Sequence, residues 1–105
     1  MWRQESARIQ VLVHHEVADY QSWRAVFDSA LDFRHAGGER ACRVYRKAGN
    51  PNDLTLLFEW ESMDEAQGYM NSEELRKKMK QAGVVGVPEI YYLAEMYSIH
   101  RSAAD

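Results

Sequence analysis

The sequence has few of the residues that cross-link or interrupt a chain: its 105 residues include one cysteine and two prolines. A single cysteine, Cys42, excludes an internal disulfide and favours a reducing compartment. No apolar run approaches the roughly 20 residues that cross a membrane, and residues 1–6 lack the apolar segment of a signal peptide. We therefore expect a cytoplasmic protein that does not enter a membrane.

The sequence also lacks an excess of positive charge. Thirteen Lys and Arg residues stand against 16 Asp and Glu, a net charge of -3, which gives no general attraction for nucleic acid or anionic lipid. The one basic cluster, residues 76–80, lies in the last turns of a predicted helix, where cations suit the helix dipole. With 46% hydrophobic residues, we expect one globular domain over residues 1–105 with its core at about 9–97.

The first two predicted elements are a strand and a helix. From Ile9 to Val17 the alternation of side chains is typical of a strand with one covered face, and His15 lies on that apolar face. Asp19 then predicts the N-cap of a helix that ends at Gly37 and Gly38. The core-facing stripe of this helix, at helical spacing, consists of Trp23, Val26, Phe27, Ala30, Leu31 and finally Arg34.

A hairpin follows this helix. Strand-like residues run from about Arg40 to Lys47, and a second strand alternates from Leu54 to Glu61. Between them, the segment Asn50 to Asp53 predicts the turn, because its proline presets φ and its Asn and Asp side chains bond their own backbone. Cys42 lies inside the first of these strands, and we interpret it as a packed thiol rather than a nucleophile.

A helix in two parts is predicted next. Ser62 to Glu65 has the capping-box pattern, in which a glutamate stands three residues after the N-cap serine. Ser72, followed by two glutamates, looks like a second cap, so we expect the helix to bend or restart there. The second part places Leu75, Met79 and Ala82 on one face and stops at Gly83.

The last predicted strand runs from Glu89 to about Tyr97, after a loop marked by Gly86 and Pro88. The order βαββαβ is the ferredoxin-like arrangement, and right-handed crossovers place strands one and three in the centre of the sheet. The last strand is then an edge strand that is apolar on both faces, which would invite aggregation if left bare. We therefore expect a homodimer in which a second subunit covers it. The polar tail, residues 100–105, should fray.

Several short stretches between residues 9 and 97 carry a family resemblance: His15 to Tyr20 with Trp23 and Phe27, Arg34 with Gly37 and Gly38, Asn50-Pro51, Ser72 to Arg76, and Ala82 to Glu89. They resemble the dimeric α/β barrel superfamily that contains the antibiotic-biosynthesis monooxygenases, and within it small bacterial proteins labelled as cyclases or left uncharacterised. The expected fold is α+β, with a four-stranded antiparallel sheet, helices on one face, and two such sheets joined into a dimeric barrel. The resemblance implies a small-molecule pocket between each sheet and its own helices.

His15 and Arg34 are the candidate catalytic residues. An imidazole beneath the helices should have a depressed pKa and be neutral near pH 7, so His15 could take a proton from an activated C–H or a phenolic O–H group. The alternative is a core histidine bonded by backbone or by a glutamate. The Arg34 guanidinium could hold a carboxylate or an enolate oxygen; alternatively its stem covers the core while its charged end stays in solvent.

Flat, apolar side chains offer walls for an aromatic or polyketide-like ligand. The candidate ligand-binding residues are Trp23, Phe27, Trp60, Tyr69, Met79 and Tyr92. Such residues are more often simply part of a core. On the opposite face of the sheet we expect an ion-pair network inside the dimer, formed by His14, Arg43, Glu59 and Glu95.

We expect neither a metal nor another cofactor. His14 and His15 are adjacent on a strand, point to opposite sides, and cannot share one ion. His35 and His100 have no obvious ligand partners at metal-binding spacing. The haem-degrading members of the superfamily use a histidine on the second main helix, and residues 64–82 contain none.

Three functions remain open. The first is a cofactor-independent oxygenase, cyclase or isomerase on a small aromatic or polyketide-like substrate, with His15 as base and Arg34 as anion holder. The second is a non-catalytic or stress-related module that binds a small ligand in the same pocket. The third is a structural dimer with a filled core. A pocket that reaches His15 and Arg34 would favour the first two.

Overall fold

The computed structural model describes residues 9–101. The predictions for residues 1–6, and for residues 102–105 of the polar tail, lie outside the described residues. The elements follow the expected order, with each helical region divided in two: β1 (Ile9–Val17), α1 (Tyr20–Ser29), α2 (Leu31–Ala36), β2 (Glu39–Lys47), β3 (Asn50–Trp60), α3 (Met63–Met70), α4 (Glu73–Gln81) and β4 (Val84–Ala94).

The four strands form one antiparallel sheet in the order β2-β3-β1-β4. This confirms the ferredoxin-like fold, with β1 and β3 in the centre. Val11 of β1 stands opposite Phe58 of β3 on one side and Tyr92 of β4 on the other. Val11, Val13 and Phe58 are at most 4% exposed, because alternate residues of the two central strands face the helices. The core lies in this layer.

The prediction of one continuous first helix is wrong at Ala30. Asp19 is the N-cap as expected, and its carboxylate accepts a hydrogen bond from the Ser22 amide. At the other end of α1 the Ser29 hydroxyl donates to the Val26 carbonyl at 2.8 Å, and a hydroxyl that bonds the preceding turn competes with the helical hydrogen bonds. The Ala30 amide is shared between two carbonyls, and α2 restarts from there.

The hairpin turn lies earlier than predicted. Lys47 pairs with Asn50, so the turn is Ala48-Gly49, and Gly49 supplies a φ of 85° that other residues rarely adopt. The segment predicted as the turn instead begins β3. The register jumps there, since Arg46 pairs with Leu54, and this irregularity accommodates Pro51, which has no amide hydrogen to donate.

The last strand also begins earlier than predicted and ends sooner, at Ala94. Gly86 and Pro88 were expected in a loop, but both lie within β4. His14 pairs with Glu89 whereas Glu16 pairs with Val85, so β4 bulges between these pairs. A bulge on an edge strand tolerates proline and a glycine at positive φ, which is why these residues did not end the strand.

The second helical region agrees with the prediction. The Ser62 hydroxyl accepts from the Glu65 amide at 3.1 Å, and the Ser72 hydroxyl accepts from the Leu75 amide at 3.1 Å. These two caps open α3 and α4. Gly83, with a φ of 82°, follows the end of α4. No helix within residues 9–101 is long and apolar enough to span a membrane.

The face of the sheet opposite the helices is open and partly apolar. Tyr45 and Tyr91 are each 51% exposed. On this face His14 donates to Asp53 at 2.8 Å and to Glu89 at 2.7 Å. Both carboxylates belong to the same chain, and the network of His14, Arg43, Glu59 and Glu95 inside the dimer stays a prediction. Two donating ring nitrogens require an imidazolium, and both carboxylates raise the pKa of His14.

Candidate functional site

A cavity lies between the inner face of the sheet and the helices. The sheet contributes Val13 and His15 from β1, Leu56 and Phe58 from β3, and Val84 from β4. The first helical region contributes Trp23, Val26, Phe27, Ala30 and Arg34. The second contributes Tyr69, Met70, Leu75, Lys78, Met79 and Ala82. Both candidate catalytic residues therefore lie in the wall of one cavity.

The mouth of the cavity lies between α1 and α4. On the sheet, the lining side chains of β1 and β3 are almost fully buried and Val84 of β4 is partly exposed. Val26, Phe27, Lys78 and Met79 on the helices are also partly exposed. The cavity contains about 60 Å³ that the centre of a water-sized sphere can occupy, and one water needs roughly 10–15 Å³ on this measure. The space holds a few water molecules or one small aromatic ring. A fused-ring ligand would require the helices to move apart.

His15 is 5% exposed, and neither of its ring nitrogens has a hydrogen-bond partner within the described part of the chain. Its ring meets the edge of Trp23 with centroids 6.0 Å apart. Burial, together with a smaller effect of the neighbouring His14, lowers the pKa of His15 to about 4. The imidazole is therefore neutral at pH 7, as its place on the strand predicts.

An unpartnered buried imidazole is an unusual feature. A neutral imidazole carries one donor and one acceptor nitrogen, and leaving a buried polar group unpaired costs about 1–3 kcal/mol. The alternative of a core histidine bonded by backbone or glutamate does not fit His15. Each of these nitrogens exposes less than 1 Å², so a ligand hydroxyl in the cavity could supply the missing partner only after the ring turns toward it.

Arg34 is 5% exposed and does not reach into solvent, so the alternative of a solvated guanidinium is wrong. Its Nε donates to Glu39 Oε2 at 2.8 Å, and one terminal nitrogen donates to the Phe27 carbonyl at 2.6 Å. The guanidinium carbon lies 3.7 Å from the centre of the Phe27 ring. These contacts fix Arg34 in the cavity wall and pair its charge.

Glu39 is the residue of this site that the sequence analysis missed. Its side chain is 3% exposed, and it also lies 3.5 Å from a ring nitrogen of His35. The signal in the sequence was an acidic residue directly after the two glycines that end the first helical region, five positions beyond Arg34. A carboxylate so buried needs a paired cation, and Arg34 supplies it.

The candidate ligand-binding residues divide into two groups. Trp23 and Phe27 stack with centroids 4.7 Å apart and line the cavity, as do Tyr69 and Met79. Burial raises the pKa of Tyr69 to about 12, so it is a neutral phenol.

Trp60 and Tyr92 are not among the residues that line the cavity. The Trp60 ring nitrogen donates to the Gly37 carbonyl at 2.8 Å, and its ring packs on Tyr69 with centroids 4.9 Å apart. Tyr92 packs against the core from the edge strand. Trp60 and Tyr92 therefore stabilise the fold around the cavity and do not form part of its wall.

Two other chemistries have little support in the described residues. Burial raises the pKa of the Cys42 thiol to about 12, which keeps it protonated and disfavours a nucleophilic role. Within residues 9–101 no group of three His, Cys, Asp or Glu residues is arranged to hold a metal ion.

No family model and no curated protein matches the sequence. Solved structures do match its fold. A monooxygenase from the gene ActVA-Orf6 of Streptomyces coelicolor, in complex with the ligand nanaomycin D, is 14% identical with a TM-score of 0.66, over 91% of this chain and 94% of that one. SnoaB, a cofactor-independent oxygenase from Streptomyces nogalater, is 11% identical with a TM-score of 0.66, over 93% and 98%.

A dimeric ferredoxin-like protein from an uncultured marine organism also matches, at 11% identity and a TM-score of 0.60, over 95% of this chain and 97% of that one. A protein of unknown function from Nitrosomonas europaea is among the matches as well. The expected resemblance to proteins like the antibiotic-biosynthesis monooxygenases is confirmed for the fold. At these sequence identities the structural similarity shows a shared fold and does not indicate an activity.

Proposed function

We propose that this chain is a small-molecule-binding protein of the dimeric α/β barrel type and acts as a cofactor-independent monooxygenase or cyclase-like enzyme. The observation that carries the proposal is the buried His15, which lines a cavity and whose ring nitrogens have no hydrogen-bond partner among the described residues. The substrate is an aromatic or polyketide-like molecule, and the size of the cavity favours a single ring in its most buried part.

In the proposed reaction, His15 accepts a proton from a phenolic hydroxyl or an acidic C–H group of the substrate. The resulting anion gives its electrons to molecular oxygen. One oxygen atom stays on the substrate carbon, and the other leaves as water with two hydrogens from the substrate. Arg34 lies in the same wall, and we propose that an N–H group of its Glu39-paired guanidinium donates a hydrogen bond to the anion as it forms beside protonated His15. The apolar lining keeps water away from the reacting atoms.

We further propose that two copies associate through the open faces of their sheets, and that the protein acts in the cytoplasm. Exposed Tyr45 and Tyr91 on that face support the association, because exposed apolar patches commonly mark interfaces. A matched fold is described as dimeric.

The proposal can be tested with 1,4-hydroquinone, a single-ring phenol, and ¹⁸O₂. Balanced monooxygenation yields hydroxybenzoquinone with one labelled oxygen atom, and labelled water. Uncatalysed oxidation yields unlabelled benzoquinone and hydrogen peroxide, so the label separates the two routes. We expect His15→Ala and His15→Gln to lower the labelled product at least about 100-fold, the usual contribution of a general base. His100→Ala removes an exposed imidazole outside the cavity wall and serves as the control.

A non-catalytic ligand-binding module is the second candidate, favoured by the small cavity. Native mass spectrometry of the purified protein would show a retained small molecule in either case. If His15→Ala weakens ligand binding as much as it weakens turnover, a carrier or sensor is supported. If it leaves affinity unchanged and abolishes turnover, catalysis is supported. An absence of labelled product across single-ring phenols, together with an empty purified protein, would contradict both.

A further inference from the structure

The wall of the cavity contains a paired charge rather than a free one. The Arg34 and Glu39 side chains are 6% and 3% exposed, and they meet at 2.8 Å. The Phe27 carbonyl and ring hold the guanidinium from two further directions. A buried ion pair in which both members are also held by neighbours is costly to separate. Glu39 therefore occupies the place that the carboxylate of a ligand would need beside Arg34.

The other titratable groups in the cavity wall divide by depth. His15 and Tyr69 are both neutral at pH 7 and are almost fully buried. Lys78 lies at the mouth, partly exposed, with its amine 5.1 Å from the centre of the Phe33 ring. Among residues 9–101, the deep end thus has no uncompensated positive charge, whereas the mouth has the Lys78 amine.

Resting on the proposed function, we infer that Glu39 is a specificity-determining residue: it makes the deep end of the cavity select an uncharged group and reject an anionic one. An uncharged ligand that passes a proton to His15 leaves the net charge of the cavity unchanged. A ligand that arrives as an anion would bring an unpaired charge into an apolar space, which is strongly unfavourable.

Benzamide and benzoate test this inference, because they have the same shape and differ in charge. The test uses Lys78→Gln protein, since Lys78 at the mouth could attract benzoate by itself. By isothermal titration calorimetry at pH 7, we expect benzamide to bind this variant at least ten-fold more tightly than benzoate. Adding Glu39→Gln frees the Arg34 charge, and the preference should then reverse.

A matched control removes a carboxylate far from the cavity. Glu61 is exposed and pairs with Arg40 at 3.0 Å, so Glu61→Gln in the Lys78→Gln background should keep the preference for benzamide. The comparison in Lys78→Gln protein leaves the buried pair intact, so tight binding of benzoate there would contradict the inference even if the Glu39 variant fails to fold.

The outcomes separate this inference from the proposed function. Equal or tighter binding of benzoate by Lys78→Gln protein would overturn the role of Glu39 and would still leave a ligand-binding cavity. Binding of neither compound, with no binding of hydroquinone to the wild-type protein, would remove the proposed function itself, and this inference with it.

Discussion

Because the buried imidazole of His15 is unpartnered, acid destabilises the folded state through this residue. In the unfolded chain its pKa is near the ordinary value of 6.5, whereas in the fold it is about 4. The unfolded state therefore binds a proton that the native state excludes. The contribution of neutral His15 to the free energy of unfolding is therefore complete above the pKa of the unfolded chain. It is lost as the pH falls toward the pKa of the folded protein.

We expect the wild-type protein to lose about 2–3 kcal/mol more unfolding free energy than His15→Leu between pH 7 and pH 4.5. Urea unfolding at the two pH values measures this difference. His100→Gln, at an exposed position, should retain the wild-type loss. Parallel losses in the wild type and in His15→Leu would show that His15 is not buried in a neutral form.

Single residues differed in how far the sequence could place them. The period-two alternation of β1 fixes the side of every side chain, so it predicted His15 on the helix face. Glu39 could not be placed in this way, because the β2–β3 register shifts between Glu39 and Ala41. The pairing of Glu39 with Arg34 depends on that register shift, which no local pattern in the sequence predicts.

Among the elements, the junction between α2 and β2 depends on a glycine that no other residue can replace. Gly38 has a φ of 112°, and a Cβ there would lie 2.6 Å from the Trp60 ring nitrogen. That nitrogen already donates to the Gly37 carbonyl. Both the backbone conformation and the space therefore exclude a side chain.

We expect Gly38→Ala to destabilise the protein by at least about 2 kcal/mol, through strain at positive φ and displacement of Trp60. Gly68→Ala is the matched control, because Gly68 lies inside α3 with open space around it. An alanine in a helix stabilises by roughly 0.5–1 kcal/mol over glycine. Chemical unfolding of both variants tests the pair. A neutral Gly38→Ala would contradict the close approach seen here.

Element identity and order could be read from the sequence, whereas several boundaries could not. Capping by Ser62 and Ser72 is local chemistry, so both helix starts were predicted correctly. The hairpin turn and the start of β4 were misplaced because Pro51, Gly86 and Pro88 lie at bulges. Predicting a bulge requires knowing how the strand pairs with its neighbour, which a single sequence does not show.

At the scale of the whole molecule, the sheet has one face under helices and one open face. We expect Tyr91→Glu, on the open face, to weaken the proposed homodimer at least ten-fold, because it would place a carboxylate in a desolvated interface. Analytical ultracentrifugation measures the change. Leu31→Glu makes the same kind of change at an exposed position of α2 and should leave the association intact. Wild-type protein that stays monomeric at high concentration would contradict the dimer.

The two adjacent histidines of β1 lie on opposite faces of the sheet and differ in protonation. His14 keeps its proton between two carboxylates, while His15, one residue on, excludes one in the core. The charge of His14 itself lowers the pKa of His15. In the proposed reaction, a proton captured by His15 would therefore be held only briefly, and its neighbour would favour prompt transfer to the oxygen atom that leaves as water and recovery of the base.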